Sequence, residues 1–164
     1  MPPRWIACPA RGTLSIMELR RSEHHIHRLQ YHLVWTPKYR RAVFAEPQRH
    51  VLKNVLEKVA LDHDIELQEL EIPPDHVHAL VALDPATSVS ECMRILKSVS
   101  AREFFKRYPD IKQKYFWGGK LWSPSYYAET VGKRDERAVS AYIRNQLKEE
   151  ERYERVVRQL KLLP

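Results

Sequence analysis

The sequence of 164 residues contains little glycine and little cysteine, with four Gly and two Cys. So few glycines, together with the lack of any low-complexity run, argue against a disordered chain. Cys8 falls in an unpatterned N-terminal stretch, whereas Cys92 falls inside a helical pattern. A disulfide framework is therefore not expected, and the cysteine usage is that of a cytoplasmic protein.

The sequence also lacks long apolar runs. No segment approaches the roughly 20 apolar residues that a membrane-spanning helix needs, so no membrane partner is expected. Arg4 and Arg11 enclose no apolar stretch of the kind that a secretory signal contains. The chain does have an excess of basic residues, with 28 Lys and Arg against 21 Asp and Glu and a net charge of +7. This excess favours a polyanionic partner such as nucleic acid.

The length allows one domain with one hydrophobic core. Residues 1–22 begin with a proline-containing stretch that has no apolar periodicity. We expect them to be a disordered N-terminal extension or one that a wrong start codon added, with Met17 as the natural start. Residues 23–150 carry the patterned domain, and residues 151–164 are expected to form an amphipathic tail.

The apolar periodicity of the central domain predicts alternating strands and helices. Predicted strands are 26–35, 65–72, 76–83 and 126–130, and predicted helices are 47–61, 88–108 and one from 136 onward, with a loop at 112–120. Ser88 and Glu91 have the spacing of a capping box. This order predicts an α+β fold of the ferredoxin-like or RRM-like kind, a split βαβ antiparallel sheet whose helices cover one face. The first and third strands would be central, and a C-terminal helix would follow.

The sharpest chemical feature is the pair His76 and His78. Residues i and i+2 of a strand point to the same face, so both imidazoles would project together at a spacing suited to a metal ion. Asp75 precedes them in a turn and could orient one histidine through a hydrogen bond. An H-x-H triplet alone is more often two half-exposed strand histidines, so the triplet needs support from other residues.

A second feature is the pair Tyr142 and Gln146 on the last predicted helix. Residues i and i+4 share one helical face, so the phenol and the amide would lie together beside an apolar stripe. A phenol offers a nucleophilic oxygen, and an amide oxygen can bind a hard cation. The pattern alone favours the alternative, in which a tyrosine at the edge of the core lies beside a solvated glutamine.

A third feature is the interleaving of basic and aromatic residues at 38–41 and again at 120–122. Cations can hold phosphates while aromatic rings stack on unpaired bases, which is typical of single-strand binding. A solvated turn flanked by core aromatic residues would produce the same pattern.

Taken in order, five segments resemble the small single-strand transposases of the insertion-sequence 200/605 family, whose nucleases carry one tyrosine and an HUH histidine motif. The likeness covers residues 27–148 and rests on YHLVWTPKYRR, PDHVHALV, LKSVSARE, LWSPSYYAETVG and YIRNQ. The fourth segment departs from the family pattern, because it lacks the glycine expected before the aromatic pair and contains an unusual Pro124.

The resemblance implies a specific active site. His76 and His78 match the histidines that bind the divalent ion, Mg²⁺ or Mn²⁺, Gln146 matches the third metal ligand, and Tyr142 matches the nucleophile on the last helix. The implied activity is the cleavage and rejoining of single-stranded DNA at hairpin-bearing ends, through a 5′-phosphotyrosine. The implied assembly is a homodimer in which the tyrosine helix of one subunit serves the histidines of the other. DNA contacts are expected at Lys38, Tyr39, Arg40, Arg41, Lys97, Lys120 and Trp122.

Three alternatives stay open on the sequence. The chain could be a non-catalytic RRM-like module that binds nucleic acid, which would need neither the histidines nor Tyr142. It could be a zinc hydrolase that uses water and forms no covalent adduct, since histidine also suits zinc. It could also be a domesticated relative that processes chromosomal repeats instead of mobilising an element.

Overall fold

The structure is a computed structural model that describes residues 20–21, 26–132, 135–146 and 148. The expected C-terminal tail and all of the expected N-terminal extension except residues 20–21 lie outside the described residues, so the domain bounds stay predictions. No helix among the described residues is long and apolar enough to cross a membrane.

A four-stranded antiparallel sheet forms the centre of the fold. The described strands are β1 Arg20–Arg21, β2 Ile26–His27, β3 Gln30–Trp35, β4 Glu66–Glu71, β5 Val77–Ala82 and β6 Tyr127–Thr130. The helices are α1 Gln48–Asp62, α2 Val89–Arg107, α3 Pro109–Tyr115 and α4, residues 136–146. The strand order is β4-β5-β3-β6, and β1 and β2 form a separate two-stranded sheet.

This strand order confirms the predicted split βαβ layout. The two central strands are β3 and β5, which are the first and third strands of the main sheet in chain order. All three neighbouring pairs are antiparallel. Helix α1 connects β3 to β4, and α2 with α3 connects β5 to β6, so each connection crosses over one neighbouring strand.

The hydrophobic core lies between one face of this sheet and the helices α1 and α2. Strand alternation sends every second residue of β5 to that face, and Val77, Ala79 and Val81 are buried there as the sequence predicted. Fully burying a valine side chain stabilises the fold by about 1.5–3 kcal/mol. The strands and helices contribute other large buried residues, among them Leu33, Trp35, Leu52, Leu56, Met93, Leu96 and Phe104.

Helix α2 begins and ends where its sequence signals predicted. The hydroxyl oxygen of Ser88 accepts a hydrogen bond of 3.1 Å from the backbone N–H of Glu91, which satisfies one of the free donors of the first turn. The helix ends at Arg107, just before Pro109.

Two predictions of local structure were wrong. The strand predicted at 26–35 is two strands, because Ile26–His27 leaves the main sheet and pairs with Arg20–Arg21. The loop predicted at 112–120 begins inside α3, whose first residue is Pro109. A proline ends the helix before it but fits the first position of a new one, since the missing N–H is not needed there.

Helix α4 lies on the opposite face of the sheet from α1 and α2. Glu136 at its start contacts Arg28 and accepts a hydrogen bond of 2.9 Å from Gln30. Near its end, Arg144 forms an ion pair of 3.1 Å with Glu69 of β4. Ile143 is fully buried, as its place in the predicted apolar stripe requires. The sheet is therefore covered on both faces, and the second face carries the candidate site.

Candidate active site

His76 and His78 lie together at the start of β5, on the face that α4 covers. Their ring centroids are 4.7 Å apart, with the ring planes at 74°. The buried Val77 between them points to the opposite face, into the core. The strand geometry therefore brings the two predicted metal ligands together.

Asp75 holds His76 in place. Its carboxylate lies 2.6 Å from Nδ1 of His76 and also accepts a hydrogen bond of 3.1 Å from the guanidinium of Arg40. The hydrogen bond between Asp75 and a histidine was expected from the sequence. Because Nδ1 is engaged, Nε2 is the nitrogen of His76 that remains for another partner.

His78 is neutral at physiological pH. Its side chain is only 6% exposed. Burial, and then the neighbouring His76 and His32, lower the pKa of His78 to about 4. A neutral imidazole keeps a lone pair, which metal coordination requires.

His32 on β3 is a site residue that the sequence did not reveal. It is 7% exposed, and its Nε2 lies 3.1 Å from Nδ1 of His78. Burial lowers the pKa of His32, and the charge of Glu129 on β6 opposes this in part. The available signal was weak: His32 and Gln30 are both polar residues in β3, and the contact of His32 with His78 joins strands distant in sequence.

Tyr142 completes the cluster from α4. Its ring centroid lies 5.8 Å from that of His78 and 6.3 Å from that of His32, in edge-on contacts. The side chain is 51% exposed, so the ring touches the histidines and is still open to solvent. Gln146, one helical turn further, is partly buried. A single chain thus places the predicted nucleophile beside the predicted metal ligands.

A second tyrosine also reaches this cluster. Tyr127 of β6 is exposed, and its ring lies 6.3 Å from that of His32. A hydrogen bond with Glu129 raises the pKa of Tyr127. A raised pKa makes the nucleophilic phenolate harder to form, so Tyr127 is the weaker candidate.

The donor atoms fit a divalent ion. His76 and His78 offer two imidazole nitrogens, and no group of three His, Cys, Asp or Glu side chains in the described part of the chain is arranged to hold a metal ion. The amide oxygen of Gln146, one helical turn beyond Tyr142, is a ligand type that suits a hard cation. A site with so few protein ligands leaves positions for phosphate oxygens and water.

The family sequence model described as IS200-like transposases matches residues 16–146. The chain belongs to this family. It is 35% identical over 130 residues to the ISDra2 transposase TnpA of Deinococcus radiodurans, a match that covers 79% of this chain and 92% of that protein. It is also 35% identical over 121 residues to the transposase for insertion sequence element IS200 of Salmonella typhimurium, covering 74% of this chain and 78% of the relative.

Solved structures agree with this assignment. A crystal structure of a Deinococcus radiodurans protein described as a transposase has 36% identity and a TM-score of 0.65, covering 77% of this chain and 97% of that one. The structure of a REP-associated tyrosine transposase bound to a REP hairpin has 18% identity and a TM-score of 0.55, covering 79% and 74% of the two chains. The second likeness shows the fold alone.

The chain is therefore a transposase, an enzyme that cleaves DNA and transfers the strands to new ends. The alternative of a non-catalytic RRM-like module does not fit this family. Such modules bind RNA on an open sheet face, whereas α4 lies across the corresponding face of the transposase.

The predicted DNA-binding segment 38–41 forms a tight exposed turn of the transposase. Tyr39 is exposed, and the ammonium of Lys38 lies 4.9 Å from the centre of its ring. Tyr39 and Arg40 have positive φ values of 65° and 48°, a conformation that non-glycine residues adopt only when their surroundings hold them. Because Arg40 also binds Asp75, the turn is connected to His76.

A basic groove runs along α2 on the helical side of the transposase. It consists of a cavity of about 680 Å³ and an adjoining one of about 520 Å³, which share Ser98, Ala101 and Gly119. No Asp or Glu of the described residues lines either cavity. The basic side chains along the groove are Lys38, Arg94, Lys97, Arg102, Lys106, Lys112 and Lys120.

Two of the predicted DNA contacts have structural roles in this groove. The Lys97 ammonium donates hydrogen bonds of 2.5, 3.1 and 3.3 Å to the carbonyl oxygens of Ser123, Pro124 and Ser125. Trp122 is 6% exposed, and its indole N–H donates to the hydroxyl of Ser100. Trp122 therefore exposes no ring face on which a base could stack. Lys97 binds the backbone of the loop at residues 123–125.

Trp117 is an exposed aromatic residue that the sequence reading missed. It is 87% exposed, in the loop that follows α3. Gly119, two residues further, has a φ of +70° and lines both cavities of the basic groove. The available signal was a tryptophan followed by two glycines within a lysine-rich segment.

Proposed function

We propose that this transposase cuts and rejoins single-stranded DNA at hairpin-bearing element ends, with Tyr142 as the nucleophile. The observation that carries the proposal is the contact of the Tyr142 ring with neutral His78, beside His76. The relative solved with a REP hairpin supports hairpin DNA as the substrate. The 35%-identical relatives are named for insertion sequences, which favours a mobile element over a domesticated role.

His76, His78 and Gln146 would hold the divalent ion, which we propose to be Mg²⁺ or Mn²⁺. When bound, such an ion draws negative charge from the scissile phosphate as a Lewis acid. Asp75 holds the ring of His76 through Nδ1, and the burial of His78 keeps that imidazole unprotonated. The ligand nitrogens would therefore be oriented and unprotonated before DNA binds.

The phenol oxygen of Tyr142 would attack the scissile phosphorus. A bond forms between this oxygen and phosphorus, the bond from phosphorus to the 3′ oxygen breaks, the phenol loses its proton, and the released oxygen gains one. The product is a 5′-phosphotyrosine with a free 3′-OH. The 3′-OH of a second strand can reverse the attack, which restores the phenol and joins new ends without an external energy source.

The basic groove and the 38–41 turn would bind the DNA backbone and its unpaired bases. The lysines and arginines of the groove suit phosphates. The exposed rings of Tyr39 and Trp117 suit stacking on unpaired bases, which is where a hairpin differs from a plain duplex. Arg40 and Arg41 add positive charge at the turn.

We include a homodimer with shared active sites and a cytoplasmic location in the proposal. The family resemblance supports the dimer. In a single chain, α4 already brings Tyr142 to the histidines. Helix α4 of a second copy could make the same contacts, including the ion pair of Arg144 with Glu69, so its exchange between two copies would cost little stability.

The test is incubation with a hairpin-bearing single-stranded oligonucleotide and Mg²⁺, followed by a denaturing gel. We expect a covalent protein–DNA band that requires the metal ion. Tyr142→Phe removes one oxygen from a half-exposed ring and should abolish this band while leaving hairpin binding unchanged.

Tyr127→Phe is the matched control, since it removes the same atom from the other tyrosine of the cluster. We expect this variant to keep the covalent band. If the band persists in Tyr142→Phe and disappears in Tyr127→Phe, the nucleophile is Tyr127. If cleavage occurs without any covalent band, a water-using hydrolase is the better description.

A further inference from the structure

We propose that His32 is a positioning residue, which accepts a hydrogen bond from His78 and so fixes the nitrogen that His78 presents to the metal ion. This inference rests on the proposed metal site. It assigns a role to a buried side chain that touches the site from β3 and that the proposed chemistry does not otherwise use.

The geometry of the two rings supports a directed hydrogen bond. Nε2 of His32 lies 3.1 Å from Nδ1 of His78, and the ring planes differ by only 9° with centroids 5.3 Å apart. The lone pair and the N–H of an imidazole both lie in the ring plane. Parallel rings that meet through facing nitrogens are therefore nearly coplanar and end to end, which is the best arrangement for a hydrogen bond.

The position of the proton follows from metal coordination. A nitrogen that binds a metal ion cannot also carry a proton. When Nε2 of His78 coordinates, its single proton must be on Nδ1, which faces His32. Nε2 of His32 must then be the acceptor, so the proton of His32 is on Nδ1.

The surroundings of His32 suit this acceptor role. Glu129 lies directly opposite His32 in the register of β3 and β6, and its negative charge strengthens His32 as an acceptor.

His32 is not itself a third metal ligand in this arrangement. Its Nε2 is directed at a nitrogen of His78, and no group of three His, Cys, Asp or Glu side chains within the described residues is arranged to hold a metal ion. His76 receives the same kind of support from Asp75. Both ligands are thus held through Nδ1, by a carboxylate in one case and by an imidazole in the other.

The first experiment measures Mn²⁺ affinity without DNA, by the loss of the free-ion signal in electron paramagnetic resonance. We expect His32→Leu to bind Mn²⁺ about 10-fold to 100-fold more weakly than the wild type, as loss of such a supporting partner typically does. His32→Gln keeps an acceptor oxygen and should recover much of the affinity. His50→Leu, on the exposed surface of α1, is the control and should bind like the wild type.

The second experiment locates the proton directly. Long-range ¹H–¹⁵N spectra at saturating Mg²⁺ should show the proton of His78 on Nδ1 and that of His32 also on Nδ1. A His78 that carries its proton on Nε2 under these conditions overturns the inference.

The outcomes separate the two proposals. If the wild type binds no Mn²⁺ at its histidines, so that His76→Ala with His78→Ala changes nothing, the proposed metal site itself is wrong. If the wild type binds through those histidines and folded His32→Leu binds equally well, only the positioning role is overturned. Circular dichroism and a thermal melt establish that each variant is folded.

Discussion

Large aromatic side chains exposed to water are the residue-scale feature that packing does not explain. Trp117 contributes nothing to the core, and Tyr39 is exposed in a turn whose backbone adopts an unfavourable conformation. An exposed ring in a basic environment is what recognition of unpaired bases requires. We therefore propose that these two rings bind the substrate, whereas Trp122 belongs to the core.

The first prediction concerns Trp117. Trp117→Ala should weaken hairpin DNA binding by about 1–3 kcal/mol, the usual contribution of one stacked base. Fluorescence anisotropy with a labelled hairpin measures the change. The control is Leu61→Ala, which changes another largely exposed apolar residue, next to the glutamate-lined cavity at α1, and should have no effect. Equal losses in both variants would mean that Trp117 has no specific contact.

At the scale of elements, Lys97 fastens α2 to the loop that leads into β6. One ammonium satisfies three carbonyl oxygens of residues 123–125, and burial lowers its pKa. Because β6 carries Tyr127 and Glu129 toward the site, a residue on the helical side of the sheet affects the arrangement on the other side. This role differs from the phosphate contact expected from the sequence.

The dependence of binding on salt distinguishes the two roles. A lysine that contacts a phosphate lowers the slope of log affinity against log salt by about 1 when it is replaced. Lys120→Met should show this drop, because Lys120 is exposed at the groove. Lys97→Met should leave the slope unchanged while making the loop at 123–126 more sensitive to limited proteolysis. A drop in slope for Lys97→Met without a change in proteolysis would restore the direct contact.

The regular elements could be predicted from sequence because each carries its own periodicity. The alternation of Val77, Ala79 and Val81 gave the buried face of β5, and the Ser88 cap gave the start of α2. Helix α3 could not be predicted, because a proline such as Pro109 ends the helix before it and the glycines at 118–119 indicate a loop. The break between β2 and β3 depends on a pairing with β1 that no local pattern reveals.

The whole molecule places its basic groove and its candidate site on different faces of the sheet. The helical side carries the basic groove, whereas a cavity next to β4 is lined by Glu57, Glu66, Glu69 and Glu71 together with Lys53 and Arg144. The histidine and tyrosine cluster lies on the opposite side of the sheet from the α1 and α2 layer. DNA bound in the groove would therefore have to pass an edge of the molecule to reach Tyr142.

Complementation between inactive variants tests whether two copies share a site. Tyr142→Phe and the double variant His76→Ala with His78→Ala should each be inactive alone. If α4 is exchanged between subunits, a mixed dimer contains one intact site, and we expect the mixture to recover part of the adduct. No recovery in dimers shown to be mixed would mean that each chain uses its own tyrosine, as it lies in the single chain.

The candidate site was predicted as far as short-range geometry reaches. The period of a strand predicted that His76 and His78 share a face, and their rings do lie together. The period of a helix predicted that Tyr142 and Gln146 share a face; Tyr142 contacts His78, and the role of Gln146 stays a prediction. The contribution of His32 could not be predicted, because its contact with His78 joins β3 and β5, which are far apart in sequence. The proximity of Tyr142 to the histidines likewise depends on which sheet face α4 covers, a property of the assembled fold.

Alternate residues along β5 have different tasks. Val77, which stabilises the core, lies between His76 and His78, which belong to the candidate site. Deletion of a single residue there would shift the strand by one position. The imidazoles would then face the core, and the valines would face the site.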